Sequence, residues 1–135
     1  MAVWMLERDR PQGGGDSGEV IESPSSAEIE AAVRALNQKE RTLVMLYQSP
    51  EKHMAVGGGN GQYVAYITED GRSFSKLVSS TPDTGTLCLV VGGQVGDYPR
   101  SQCVSLDEVL RAVREFADRG FPNPELRWVV EPRHR

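Results

Sequence analysis

Histidine and cysteine are the side chains that most often hold a structural metal, and the sequence contains two of each. A zinc site needs several such ligands, usually in pairs at short spacing. His53, Cys88, Cys103 and His134 lie far apart, with no ligand pair among them. A lone histidine such as His53 is more often a surface or half-buried side chain than a ligand. The sequence therefore predicts no metal site and no other cofactor.

The run Gly57-Gly58-Gly59-Asn60-Gly61 has the glycine content of loops whose backbone N–H groups bind phosphate. It lacks the Gly-Lys-Ser/Thr ending of such loops, and the strand-like Gln62-Tyr63-Val64 follows where a helix N-terminus would be needed. We therefore predict a hairpin turn here, with ligand binding as the alternative.

Catalytic side chains are equally scarce. Covalent catalysis needs a serine or cysteine with a histidine base, and no G-x-S-x-G elbow is present. Acid–base catalysis needs converging carboxylates, for which the candidates are Glu69, Asp70, Asp83 and Asp97. Acidic residues in turns more often serve turn geometry and solubility. The residues therefore favour a protein that is not an enzyme.

The net charge of −4 over 135 residues argues against direct nucleic-acid binding. Binding to a phosphate backbone needs clustered Lys and Arg, and these residues are scattered along the chain. An acidic protein suits a basic partner, whose association it would accelerate. The other interpretation is that the charge only keeps the protein soluble.

The two cysteines and the lack of a signal segment predict a reducing, cytoplasmic environment. Cys88 lies within the apolar run Leu87 to Val91, so we expect it to be a buried small hydrophobe. No apolar stretch approaches the roughly 20 residues that a membrane-spanning helix needs. We therefore expect no contact with a membrane.

Two helices are predicted by their start signals and their apolar spacing. Ser25 with Glu28, and Ser105 with Glu108, have the S-x-x-E spacing of a capping box. Gly120 is expected to end the second helix. Apolar residues then recur with the period of one helix face, and these are Ile29, Ala32, Val33 and Leu36 in the first helix and Leu106, Val109, Leu110, Val113, Phe116 and Ala117 in the second.

Short apolar runs bounded by Gly, Pro, Asp or Ser predict strands between the helices. Their tight connections favour an antiparallel meander of five strands. The five runs are residues 42–48, 53–57, 62–68, 72–78 and 86–93, and Leu126 to Val130 is predicted as a last strand. The fold class predicted is α+β, a mainly antiparallel sheet of about six strands packed with two amphipathic helices.

The N-terminal segment has a different composition. Residues 11–26 are rich in Gly, Pro and Ser, which is typical of a loop or flexible linker. Residues 3–6 fit either a short strand or a loose terminus that Trp4 anchors. We therefore expect residues 1–26 to form a flexible or loosely attached arm and residues 27–135 to form a single domain.

Tyrosines supply the candidates for a protein-binding surface. Tyr63 and Tyr66 lie on opposite faces of one predicted strand, so one of them should be more exposed than the other. An exposed tyrosine near acidic turns is a plausible interface anchor, because aromatic residues dominate the energetics of many interfaces. Tyr98 and Phe74 are further candidates.

The C-terminal third resembles a known family in the order and spacing of its motifs. Val91-Gly92-Gly93 is followed by Gly96-Asp97-Tyr98-Pro99, then by a capped helix with Phe116 near its end, and then by Pro122 to Trp128. This pattern resembles immunity family one of bacterial polymorphic toxin systems, and the likeness covers roughly residues 20 to 130. Departures are Phe121-Pro122-Asn123-Pro124, where the family often carries Arg before Pro, and the glycine-rich N-terminal arm.

The resemblance implies an antidote that binds a cognate secreted toxin, often a nucleic-acid deaminase or a nuclease, and covers its active site. The contact residues expected on this basis are Glu69, Asp70, Asp83 and Asp97, whose carboxylates would mimic phosphate, and the anchors Tyr63, Tyr66 and Tyr98. The free protein is expected to be a monomer or a weak dimer. The alternatives are a small-molecule-binding or accessory domain with a pocket between sheet and helices, and a subunit of a homo-oligomer.

Overall fold

The computed structural model describes residues 3–9, 18–80 and 84–132. Its strands are β1 (Met5–Arg8), β2 (Glu19–Glu22), β3 (Leu43–Tyr47), β4 (His53–Gly59), β5 (Gln62–Thr68), β6 (Ser73–Val78), β7 (Thr86–Val91), β8 (Gln94–Pro99) and β9 (Arg127–Pro132). Its helices are α1 (Ser26–Arg34) and α2 (Leu106–Arg119), and a 3₁₀ turn lies at Arg100–Gln102. The predicted α+β class is confirmed.

Seven strands form one antiparallel sheet in the order β2-β1-β3-β4-β5-β6-β9, and β7 pairs with β8 in a separate hairpin. Four strands of the predicted meander, β3 to β6, are confirmed as consecutive antiparallel neighbours. The predicted glycine-rich turn is confirmed as a hairpin, but β4 continues to Gly59 and only Asn60 and Gly61 form the turn. Both turn residues have positive φ, as type I′ hairpin turns require.

Both helices begin at the predicted capping boxes. In α1 the Ser25 hydroxyl accepts from the Glu28 amide at 3.1 Å, and the Glu28 carboxylate accepts from the Ser25 amide at 2.8 Å. Ser105 and Glu108 repeat this arrangement at the start of α2. Gly120 ends α2 in the left-handed conformation, with a φ of 81°. Each box satisfies backbone groups that a helix end otherwise leaves unpaired.

The core lies between the two helices and one face of the sheet. It consists of the apolar stripes of α1 and α2 and the strand residues that face the helices, such as Leu77. Four of these strand residues pair in one row across four strands, and they are Leu6, Leu46, Met54 and Ile67. Trp128 is half-buried against this core, and its indole N–H donates to the Asn123 carbonyl at 2.9 Å. Neither helix within the described ranges is long and apolar enough to cross a membrane.

The fifth predicted strand does not join the meander. β9 pairs with β6 instead, with Trp128 opposite Leu77, so it occupies the edge that β7 would have needed. β7 turns back at Gly92-Gly93 and pairs with β8. Residue propensities did not predict β8, because Gly, Asp and Pro, present at Gly96, Asp97 and Pro99, are depleted in strands.

Two short parts of the N-terminal segment form strands. Residues 5–8 form β1, which pairs with β3, so the first residues form a strand that belongs to the main sheet. Residues 19–22 form β2 rather than the predicted loop, because Val20 and Ile21 lie in a run that pairs fully with β1. That residues 27–135 would form a domain by themselves stays a prediction.

Cys88 is exposed, which corrects the prediction that it is buried. It lies on β7 with its side chain on the face of the hairpin that points away from the sheet, whereas its neighbour Leu89 is buried on the inner face. Only one face of a two-stranded hairpin is covered here, so the apolar run alone did not determine burial. Cys103 is buried, and both cysteines are free thiols.

Candidate functional site

The sheet face opposite the helices carries a row of side chains in register. Met45, Ala55, Tyr66 and Lys76 are consecutive cross-strand partners on β3, β4, β5 and β6. Because side chains alternate along a strand, this row lies on the opposite face from Leu46, Met54 and Ile67 in the core. We call this surface the helix-free face. It is the face that the hairpin β7–β8 partly covers.

The hairpin and the helix-free face enclose a groove of about 560 Å³. Val91 of β7 packs so closely over Gly57 of β4 that a Cβ built on Gly57 would lie 2.5 Å from a Val91 methyl group. A glycine at this position therefore lets the hairpin approach the sheet. The groove has an apolar floor formed by Leu43, Met45, Ala55, Val64, Phe74 and Val91 and polar side chains supplied by Tyr66, Lys76, Gln94, Tyr98 and Gln102.

An aromatic row borders the groove. The rings of Tyr47 and His53 are 5.3 Å apart, those of His53 and Tyr66 are 5.6 Å apart, and Tyr66 meets Phe74 edge-on at 5.0 Å. His53 Nε2 lies 3.2 Å from the Tyr66 hydroxyl, within hydrogen-bond distance. Edge-to-face packing and this bond hold the rings in fixed relative orientations.

Two members of the row, His53 and Tyr47, have pKa shifts that favour their uncharged forms. Burial lowers the pKa of His53, although the backbone of Glu51 partly offsets the shift. Burial and the Glu7 carboxylate, to which the Tyr47 hydroxyl donates at 3.4 Å, raise the pKa of Tyr47. Neutral imidazole and phenol groups can exchange hydrogen bonds with a partner without the cost of desolvating a charge.

An acidic turn follows β5, the strand that carries Tyr66. The Asp70 carboxylate accepts from the Arg72 and Ser73 amides at 2.8 and 3.0 Å, and these bonds lower the pKa of Asp70. Glu69 lies 3.8 Å from the Lys52 ammonium. Both acidic side chains are exposed, so both present negative charge to solvent.

A second depression, of about 520 Å³, lies between α1 and α2. Its walls are largely charged, and the Arg114 guanidinium bonds to Glu30 there at 2.7 Å. The ion pair between Arg114 and Glu30 lowers the pKa of Glu30. Five of its ten lining residues are charged, whereas Lys76 is the one charged residue among the described residues that line the groove, so the groove is the better candidate for binding an apolar anchor. Among the described residues, no three His, Cys, Asp or Glu side chains cluster closely enough to hold a metal ion.

The family model described as "Immunity protein Imm1" matches residues 17–130, which is most of the chain. The protein belongs to this immunity-protein family. The match to this family model confirms the resemblance seen in the sequence. No curated protein matches the chain. The Imm1 family is not enzymatic, and the role of an immunity protein is to bind a cognate toxin protein.

The fold of this Imm1 family member brings some of the predicted contact residues together. Tyr66 and Tyr98 both line the groove, one from the sheet and one from the hairpin. Asp97 is exposed on the reverse face of the hairpin, since it alternates with Tyr98 along β8. Asp83 lies outside the described residues. Glu69 and Asp70 are adjacent in the acidic turn.

Tyr63 lies on the helix side of the sheet and is only 4% exposed. Tyr66 is more exposed than Tyr63, so the prediction that one of the two is more exposed is confirmed. The contact role of Tyr63 stays a prediction, and its side chain is buried in the core. Its backbone pairs with Val104, the residue before the α2 capping box.

Sequence reasoning missed most of the groove of this Imm1 protein. Met45 and Val64 are apolar residues on the outer side of strands whose inner side is also apolar. Such strands are usually covered on both faces, which is the signal that could have revealed a second covered surface. Gln94 and Gln102 carried no signal, because they become groove residues only once the hairpin folds back.

Two polar side chains tether the hairpin to the sheet. The Gln38 amide accepts from the Val90 N–H at 3.0 Å and donates to the Gly59 carbonyl at 2.9 Å. The Thr42 hydroxyl accepts from the Gly93 N–H at 2.9 Å and itself donates to the Asp9 carboxylate. Hydrogen bonds made by residues that do not line the groove therefore help to position its hairpin wall.

Proposed function

We propose that this protein neutralises a toxin that acts on nucleic acid, a deaminase or a nuclease, by covering the toxin's active site with its helix-free face. The observation that carries the proposal is the groove, which apolar floor residues line together with Tyr66 and Tyr98 on an immunity protein. The toxin would belong to a bacterial polymorphic toxin system and be bound in the cytoplasm of the producing cell.

The affinity is proposed to come from the groove. An antidote must hold its toxin throughout growth, which requires nanomolar affinity or about 12 kcal/mol. Buried aromatic anchors surrounded by a polar rim supply most of the free energy in tight interfaces, and Tyr is enriched among them. Tyr66 and Tyr98 both line the groove and fit that role, with Phe74 packed against Tyr66.

The acidic residues are proposed to guide association. A toxin that acts on nucleic acid has a positively charged cleft, and negative charge beside the groove would steer it into place. Glu69 and Asp70 carry this role, since their turn ends the strand that bears Tyr66. Asp97, on the reverse of the hairpin, and Asp83 are proposed as further contributors to the acidic field.

The proposal implies that a large secreted protein is encoded beside this gene, and the test is co-expression with the C-terminal domain of that protein. The toxin domain alone should arrest growth, and this chain should restore growth and co-purify with the domain in a one-to-one ratio. A nucleic-acid deamination or cleavage assay with the purified pair should show loss of activity on complex formation. Binding without loss of activity would contradict coverage of the active site, and absence of binding would contradict the pairing.

A small-molecule-binding function is the second candidate, because a groove of about 560 Å³ is within the size range of ligand pockets. It predicts that a small aromatic or amphipathic compound raises the melting temperature of the free protein. Loss of that shift in Tyr66→Ala, together with failure to bind the neighbouring toxin domain, would favour this function over the first.

A further inference from the structure

The strand β9 forms one edge of the seven-stranded sheet. Among the described residues its only strand partner is β6, so its outer edge has no strand beside it. Val129 is 44% exposed and Val130 is 65% exposed, on opposite faces of this strand. An unpaired edge with apolar residues is a template for another strand unless charges of one sign protect it.

The sequence of β9 is complementary to itself. In an antiparallel pair centred on Val129, Arg127 of one copy lies opposite Glu131 of the other, and this occurs twice by symmetry. Val129 then meets its own counterpart on the same face. On the other face, Trp128 lies opposite Val130. Opposite charges and aromatic–β-branched pairs at directly opposed positions each stabilise a sheet by roughly 0.2–1 kcal/mol.

Neighbouring registers lack this complementarity. Side-chain alternation allows the pairing centre to shift by whole residues, and the two nearest alternatives are Trp128 and Val130. The first places Arg127 opposite Val129, and the second places Glu131 opposite Val129, so neither pairs opposite charges. The other edge of the sheet, β2, bears Glu19 and Glu22 and no cation, so no register of β2 with itself brings opposite charges together.

We propose that β9 pairs antiparallel with β9 of a second copy of this chain, about a two-fold axis at Val129, to form a continuous sheet across a homodimer. The axis is perpendicular to the sheet, so both helix-free faces lie on the same side and both grooves stay open. In each copy Glu131 already bonds to Lys76 at 2.9 Å, and the partner's Arg127 adds a second cation beside it.

Sedimentation equilibrium of the full chain, free of toxin, tests the pairing. The wild-type protein should show a reversible dimer as concentration is raised into the high micromolar range. Arg127→Glu should raise the dimer dissociation constant by about tenfold or more, because it creates two like-charge contacts. Glu131→Arg should do the same. The double variant R127E/E131R should restore the dimer, since the exchanged charges again attract.

Lys39→Glu is the matched control, because Lys39 is exposed in the turn after α1 and lies on neither edge strand. Lys39→Glu changes the net charge by as much as Arg127→Glu does, and it should leave the dimer dissociation constant unchanged. A wild-type protein that stays monomeric, or a double variant that dimerises no better than the single variants, would overturn the proposal. The assay uses only the free chain, so either result leaves the proposed toxin neutralisation untouched.

Discussion

His53 occupies the centre of the aromatic row on the helix-free face, between Tyr47 and Tyr66. Its ring is partly removed from water, so the neutral form is favoured and the pKa of His53 lies below its usual value of 6.5. The burial of the His53 ring therefore makes the row sensitive to acid.

The free energy of unfolding should fall as the pH is lowered through the range just below 6.5. In the unfolded chain His53 binds a proton near pH 6.5, whereas in the folded chain it does so at lower pH, so protons favour the unfolded state. This contribution to stability is fully present above pH 6.5 and is lost as the pH falls through the folded pKa. Urea unfolding at pH 7.5, 6.5 and 5.5, as set points on either side of the usual histidine pKa, would measure the loss.

His53→Gln is the comparison for this measurement. It should show a shallower loss of stability over the same pH range, while His134 is present in both proteins. The carboxylates with lowered pKa, such as Asp70 with an ordinary value of 3.8, affect stability only at lower pH. Equal pH dependence in the two proteins would show that His53 is not responsible.

Tyr66→Ala and Tyr98→Ala should each weaken toxin binding by roughly 30-fold or more, the effect of losing about 2 kcal/mol at an interface anchor. Both residues line the groove, whereas Val95 is 71% exposed on the reverse face of the same hairpin as Tyr98. Val95→Ala is therefore the control and should leave the dissociation constant unchanged. Calorimetric titration with the inactivated toxin domain would compare the three variants, and equal affinities would exclude the groove as the anchor site.

The hairpin β7–β8 is the element that converts a flat sheet face into a groove. A two-stranded hairpin is at best marginally stable alone in water, so its position depends on what holds it to the sheet. Leu89 is buried on its inner face, and the side chains of Gln38 and Thr42 bond to its backbone. These two residues are therefore positioning residues for the groove.

Gln38→Ala should loosen the hairpin with only a modest loss of global stability. It removes the bond to the Val90 N–H and the bond to the Gly59 carbonyl, each worth about 1 kcal/mol. Hydrogen–deuterium exchange should become faster at β7 and β8, while α2 and β5 keep their protection. Lys39→Ala, one residue along the same turn, should change neither region. Unchanged exchange in the hairpin would mean that apolar packing alone positions it.

The net charge of −4 acts at the scale of the whole molecule, because electrostatic steering sums over all exposed charges. Fields from exposed groups are screened beyond about 8 Å at physiological ionic strength, so charges close to the binding surface matter most. Glu69 and Asp70 are such charges if the toxin docks on the helix-free face. Asp118 and Glu125 are exposed on the helix side of the molecule.

Glu69→Lys combined with Asp70→Asn should slow toxin association severalfold at low salt and weaken its dependence on salt. Asparagine keeps a side-chain oxygen for the amides of Arg72 and Ser73, so the turn is preserved. Asp118→Lys combined with Glu125→Gln makes the same change in net charge away from the groove. Stopped-flow kinetics should show a smaller effect for this control, and equal effects would place the toxin elsewhere.

The sequence by itself determined the elements whose signals are local. The capping boxes at Ser25 and Ser105, the helix period and the stop at Gly120 were all predicted correctly, because they depend on residues within a few positions of each other. The alternating runs also gave β3 to β6 and their antiparallel order, since short turns leave adjacent strands no other arrangement. The family likeness came from the same local motifs.

Only the tertiary structure decided which distant strands pair and which strand faces are covered. In the sequence, β9 is separated from β6 by β7, β8 and α2, and β3 is separated from β1 by β2 and α1. No tight turn therefore specifies either pairing. The return of the hairpin over Gly57 buries Leu89, exposes Cys88 and brings Tyr98 to Tyr66. A strand has two faces and two edges, and packing between residues far apart in sequence determines which of them remain available for binding.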